Sequence, residues 1–130
     1  MNYDDFLGKV QAKARLAGPD DAVNATRAAL TTLSERLFGG ESDDLASQLP
    51  TEIARFVERT AHTQDDYDLE EFFRRVTERE GVRQSDAVHH VRAVLDVLQE
   101  AVTAGQIRHI RDQLPPEYQQ LFEAGSEGQL

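Results

Sequence analysis

At 130 residues the chain is the size of one ordinary domain, and without cysteine it can build neither a disulfide framework, a thiolate zinc site nor a cysteine nucleophile. Its 24 acids against 14 bases leave a net charge of -10, shared by residues 1–65 (11 acids, 7 bases) and 66–130 (13 acids, 7 bases), which disfavours nucleic acid and anionic membranes as partners. No apolar run approaches the roughly 20 residues of a membrane span, and the opening MNYDDFLGKV lacks the charged-then-apolar order of a secretion signal, so a cytoplasmic protein is expected.

The spacing of Phe6, Leu7, Val10 and Ala14 predicts a first helix over Tyr3 to Ala17, with Asp4 and Asp5 favouring its N-terminal dipole and Gly18-Pro19 ending it. Asp20 or Asp21 then caps a second, longer helix whose stripe is Ala22, Thr26, Ala29, Leu30, Leu33 and Leu37. Gly39-Gly40 is expected to stop it. A short third helix from Ser42 carries Leu45 and Leu49 inward, and Pro50 opens a fourth, Thr51 to Arg59, burying Ile53, Phe56 and Val57. Thr60 to Asp66 is polar and aperiodic, a linker.

The pattern then begins again. Leu69, Phe72, Phe73 and Val76 mark a fifth helix stopped by Gly81, and Ser85 or Asp86 is expected to cap a sixth. That helix has the widest stripe in the chain: Val88, Val91, Val94, Leu95, Val97, Leu98, Ala101 and Val102. Ala104-Gly105 parallels Gly39-Gly40, Ile107, Ile110 and Leu114 mark a seventh helix, and Pro115-Pro116 opens the eighth with Tyr118, Leu121 and Phe122. Gly125 to Leu130 is a small polar tail, expected to fray.

Aligned without gaps at an offset of 65, Pro19–Glu58 and Gln84–Glu123 share 14 of 40 residues, including Gln48-Leu49-Pro50 with Gln113-Leu114-Pro115. So many identities indicate a duplicated unit. No alternating strand pattern competes with the helical one, and the expected fold is all-α: eight helices as two tandem four-helix repeats, residues 1–62 and 63–130, packed through their long helices into one compact pseudo-twofold bundle.

The order of Phe6 and Val10, then Ala22, Ala25, Ala28, Ala29, Leu30, Leu33, Arg36 and Leu37, then Leu45, Gln48, Leu49 and Pro50 resembles an uncharacterised prokaryotic family, domain of unknown function 2267. The resemblance implies an all-helical tandem repeat and no particular activity. In the second copy Ala101 and Val102 stand where the first has Arg36 and Leu37.

The residues capable of chemistry each have a plainer role. Of His62, His89, His90 and His109, the adjacent pair points about 100° apart on a helix, and either of them with Asp86 offers two metal ligands where a catalytic site wants a third; solvated surface histidines are expected, and no metal. The doublets Asp20-Asp21, Asp43-Asp44, Asp65-Asp66 and Glu70-Glu71 fall at expected helix starts or in the linker, where a carboxylate serves the helix dipole. Arg74, Arg75, Arg79 and Arg83 interleave with Glu70, Glu71, Glu78 and Glu80, which reads as a solvated, salt-bridged helix face. Arg108-His109-Ile110-Arg111 reads the same way. Each Gln-Leu-Pro is read as a corner, the glutamine capping exposed carbonyls. Nucleotide-binding, hydrolase and EF-hand signatures are absent from the sequence. These readings favour a noncatalytic interaction or scaffold module that meets a protein partner or a second copy of itself, with no cofactor. A small-ligand regulatory protein with a pocket between the repeats is the alternative, and an enzyme working through the scattered carboxylates and histidines ranks third.

Overall fold

Asn2 accepts a hydrogen bond from the Asp5 amide at 2.8 Å and Asp68 accepts one from Glu71 at 2.9 Å, so the first helix of each copy starts on a side-chain cap. A computed structural model describes residues 1–58 and 65–123. Among these it has eight α-helices and no strand: α1 (Tyr3–Ala14), α2 (Pro19–Glu35), α3 (Gly39–Ser47), α4 (Thr51–Glu58), α5 (Leu69–Glu80), α6 (Gln84–Ala101), α7 (Ala104–Asp112) and, after a 3-10 turn at Pro116–Tyr118, α8 (Gln119–Glu123). The proposed boundary at residues 62 and 63, His62, Arg59 and the tail lie outside the described residues. The chain is an all-α bundle, as the periodicity predicts.

The expected helix ends need correction. α1 ends at Ala14 and not Ala17, because Arg15 turns left-handed (φ 57°) and its amide, with that of Leu16, satisfies the last carbonyls. Gly18 is then the cap of α2 and Pro19 its first residue, where a missing amide hydrogen costs nothing; Asp20 and Asp21 sit in the first turn and cap nothing. Gly39-Gly40 does not stop α2, which is over at Glu35. The pair instead opens α3 behind Phe38, just as Ala104-Gly105 opens α7 behind Thr103. Ser42 is therefore inside α3 and Asp43-Asp44 lies mid-helix. Arg83, not Ser85 or Asp86, stands at the N-cap position of α6, and its side chain makes no capping bond there. Gly81 behaves as expected, closing α5 in the left-handed conformation (φ 76°) that glycine adopts without steric cost.

The apolar stripes meet in one cluster. Phe6, Leu30, Leu33, Ile53, Phe72, Val94, Leu95 and Leu98 are fully buried in it, each stabilising the fold by about 2 kcal/mol. Phe56, Phe73, Val88 and Ala101 are only partly buried. The long helices α2 and α6 pack on each other, and the first helix of each copy crosses over: α1 rests on α2 and α6, α5 on α6 and α2.

The polar contacts between copies follow the same exchange. Lys9 and Lys13 of α1 reach Glu100 on α6 at 2.8 and 3.6 Å. Arg75 and Arg79 of α5 reach Glu35 on α2 at 3.2 and 2.6 Å. Gln48 accepts from the Thr103 amide at 2.8 Å and Gln113 from the Phe38 amide at 3.0 Å, so each repeated glutamine caps a helix of the other copy. This corrects the expected carbonyl cap: an amide oxygen facing the four unbonded N–H groups of a helix start finds donors there. Between the two glutamines, Gln48 donates to Gln106 at 2.9 Å, Gln106 to Glu41, and Gln113 to Glu41 at 2.9 Å.

Candidate functional site

Among the positions where the aligned copies differ in size, four fall together at one corner. In the first copy, Ser34 and Ser42 hydrogen-bond at 3.1 Å, Ser34 donates to the Val57 carbonyl at 2.8 Å, and Ala46 and Ala54 are buried, so α3 packs closely on α4. In the second copy the counterparts are Gln99, Ile107, Arg111 and Gln119. Gln99 keeps the equivalent bond, donating to the Phe122 carbonyl at 3.0 Å. α7 and α8, however, make no contact comparable to that of α3 with α4. Large side chains stand where alanines let two helices touch, and they span the space as a pair: Arg111 donates to Gln119 Oε1 at 2.6 Å, and Gln119 donates back to the Arg111 carbonyl at 3.0 Å.

The result is an open groove of about 560 Å³ whose lining includes Gln99, Ile107, Arg108, Arg111, Asp112 and Gln119. Ile107 is buried beneath it. Arg111 lies over the Phe122 ring at 5.6 Å and 3.7 Å from Glu123. Arg108 is exposed and, among the described residues, has no charge or hydrogen-bond partner. Of the expected Arg108-His109-Ile110-Arg111 set, the structure brings the two arginines to the groove, while Ile110 enters the core and His109 points to the side of α7 near Glu41.

The other sequence candidates serve the fold. Arg74 pairs with Glu71 at 2.7 Å on the solvated face, and Arg83 stands 3.7 Å from Asp86. Arg75 keeps its pair with Glu71 at 2.8 Å and, with Arg79, also reaches Glu35, whose burial raises its carboxyl pKa but is outweighed by Arg79, Tyr67 and Arg75, so that it ends below the usual range. Glu80 is a second correction: it is not solvated but 3 % exposed, its Oε2 2.5 Å from Nδ1 of His90, which is 11 % exposed and so no surface histidine. Oε1 of Glu80 has no hydrogen-bond donor, and burial pushes this carboxyl above its ordinary value against the opposing effect of His90. His89 remains on the surface. Among the described residues no three His, Asp or Glu side chains are placed to share a metal ion.

Sequence reasoning passed over Arg36. Its side chain is 2 % exposed between the rings of Tyr67 and Tyr118, 5.7 and 5.3 Å from their centroids, and Nε donates to the Tyr118 hydroxyl at 3.3 Å. Nη1 lies 3.1 Å from Oδ1 of Asp66, a charge contact at an angle that makes no hydrogen bond, and Asp66 is 89 % exposed. Asp65, the other half of that doublet, holds Arg75 at 2.9 Å. Tyr118 donates to the Tyr67 and Asp68 carbonyls at 2.6 and 3.0 Å, and burial raises its pKa to about 12. Arg36, Asp65, Asp66 and Tyr67 thereby tie the end of α2 to the approach to α5.

No helix among the described residues is long and apolar enough to cross a membrane. Comparison with curated proteins returns no match. A family model described as "Uncharacterized conserved protein (DUF2267)" matches residues 3–121, nearly the whole chain, and the chain belongs to that family.

Proposed function

We propose that this protein is a noncatalytic helical interaction module, acting through a protein partner and without a cofactor, and that its two copies are related by a pseudo-twofold axis running between Glu41 and Gln106. The observation that carries this reading is where the polar side chains go. His90 is engaged by Glu80, Gln48 and Gln113 by helix starts of the opposite copy, and Arg75 and Arg79 by Glu35. Groups that could do chemistry are consumed in holding helices together, within a copy for Glu80 and His90 and between copies for the others, and the frame they make displays open grooves. Native mass spectrometry of the full chain, purified gently from its own cells, is expected to show a stoichiometric protein complex. A monomer carrying a bound small molecule would overturn it.

The second reading, a small-ligand regulatory protein, has its own support. A groove of about 480 Å³ runs between the copies, lined by Arg27, Ala28 and Thr31 of α2 and Arg79 of α5. A carboxylate or phosphate ester of modest size suits it.

A further inference from the structure

The chain carries 24 acids and 14 bases, and most arginines described above are answered by a carboxylate. The corner of α6, α7 and α8 is different. Arg108 is unanswered among the described residues, and Arg111, one helical turn along the same side of α7, is hydrogen-bonded by the neutral Gln119 at 2.6 Å and meets the exposed Glu123 carboxylate only at 3.7 Å. Two guanidinium groups a turn apart on a groove wall match two carboxylates better than one, because each planar fork takes its own bidentate partner. Ile107 beneath them adds an apolar floor, and Gln99 and Gln119, held by their own bonds to the Phe122 carbonyl and to Arg111, fix the opposite wall. Asp112 on the same rim repels a carboxylate there, which confines the acidic groups of an occupant to the arginine wall. The first copy has nothing comparable: Ser42, Asp43, Ala46 and Ala54 replace Ile107, Arg108, Arg111 and Gln119, and the corner is closed.

We infer that the α6–α7–α8 groove is the docking surface for a short acidic segment of a protein partner, two carboxylates on Arg108 and Arg111 and one apolar side chain over Ile107. This rests on the interaction-module reading and names the surface that reading leaves open. The charge complementarity is local, against a background of net -10, so the groove selects an acidic segment that also fits its shape.

The test is calorimetric titration of the full chain with a synthetic peptide in which two glutamates flank a leucine, with inorganic phosphate as the competing probe. Binding is expected to weaken at least tenfold in Arg108→Ala, whose exposed side chain can be removed without loss of folding, and to survive in Arg27→Ala on the groove between the copies. No peptide binding to the wild type, or equal binding to Arg108→Ala, overturns the inference; so does inorganic phosphate that binds in an Arg108-dependent way and excludes the peptide, since the groove is then a small-anion site. If a native complex persists in Arg108→Ala, the groove assignment fails while the interaction-module reading stands. If the wild type forms no protein complex at all, that reading fails first.

Discussion

The corner of α2, α3 and α4 and the corner of α6, α7 and α8 are built from aligned sequence, yet one is shut and the other open. Ser34 and Gln99 make the same bond to the carbonyl of the same aligned position, Val57 or Phe122. What separates the corners is bulk at Ala46 and Ala54 against Arg111 and Gln119. Aligned segments can thus keep their framework bonds and still diverge in surface, where small residues buried between two short helices give way to large ones. The opposite divergence occurs one turn away, where Arg36 in the first copy organises two tyrosines and the linker end while Ala101 in the second organises nothing of the kind.

If the two copies share one core, truncations at matching core positions should cost alike. Leu33→Ala and Leu98→Ala occupy aligned, fully buried positions, and each should destabilise by about 3 kcal/mol in urea denaturation; a twofold disparity would break the comparison at its base. Arg36→Ala should cost about 2–3 kcal/mol, because it leaves a cavity between Tyr67 and Tyr118 and removes the donor to the Tyr118 hydroxyl, whereas Ala101→Ser should fall within about 0.5 kcal/mol. Gln48→Leu and Gln113→Leu should each cost about 1 kcal/mol, and the double variant should depart from additivity, since Gln106 and Glu41 join the two in one network.

The Glu80–His90 pair sharpens the comparison more gently, Ala25 standing at the aligned place of His90. Glu80 keeps its proton more readily folded than unfolded, through burial and the nearby Asp86 and Asp21. The stability it contributes is present below its unfolded pKa of about 4.3 and is lost as pH rises through the higher folded value. Thermal melts from mild acid upward should decline less steeply in Glu80→Gln than in the wild type; parallel slopes would deny the pair any such part.

The core was legible because burial in a helix repeats every three to four residues, and the stripes from Phe6 to Phe122 declare it. The helix ends were less so, since a glycine pair marks a break without saying on which side the helix lies; Gly39-Gly40 opens α3. Glu80 and His90 carried a readable signal. Glu80 follows Val76 by four residues and His90 follows Ala87 by three, on the buried side of their helices. Arg36 likewise follows Leu33 by three. Charge disguised what position disclosed. Of the groove, only Arg108 and Arg111 showed in the sequence; its opening arises from four size differences on three helices that only the tertiary contact brings together.

The central claim is that each copy's repeated glutamine fastens the other copy, and amide hydrogen exchange read by NMR tests it most directly. Gln48→Leu is expected to speed exchange at the Thr103 amide and leave Phe38 protected, and Gln113→Leu to do the reverse. Loss of protection confined to the mutated copy, or none at either amide, would contradict the account.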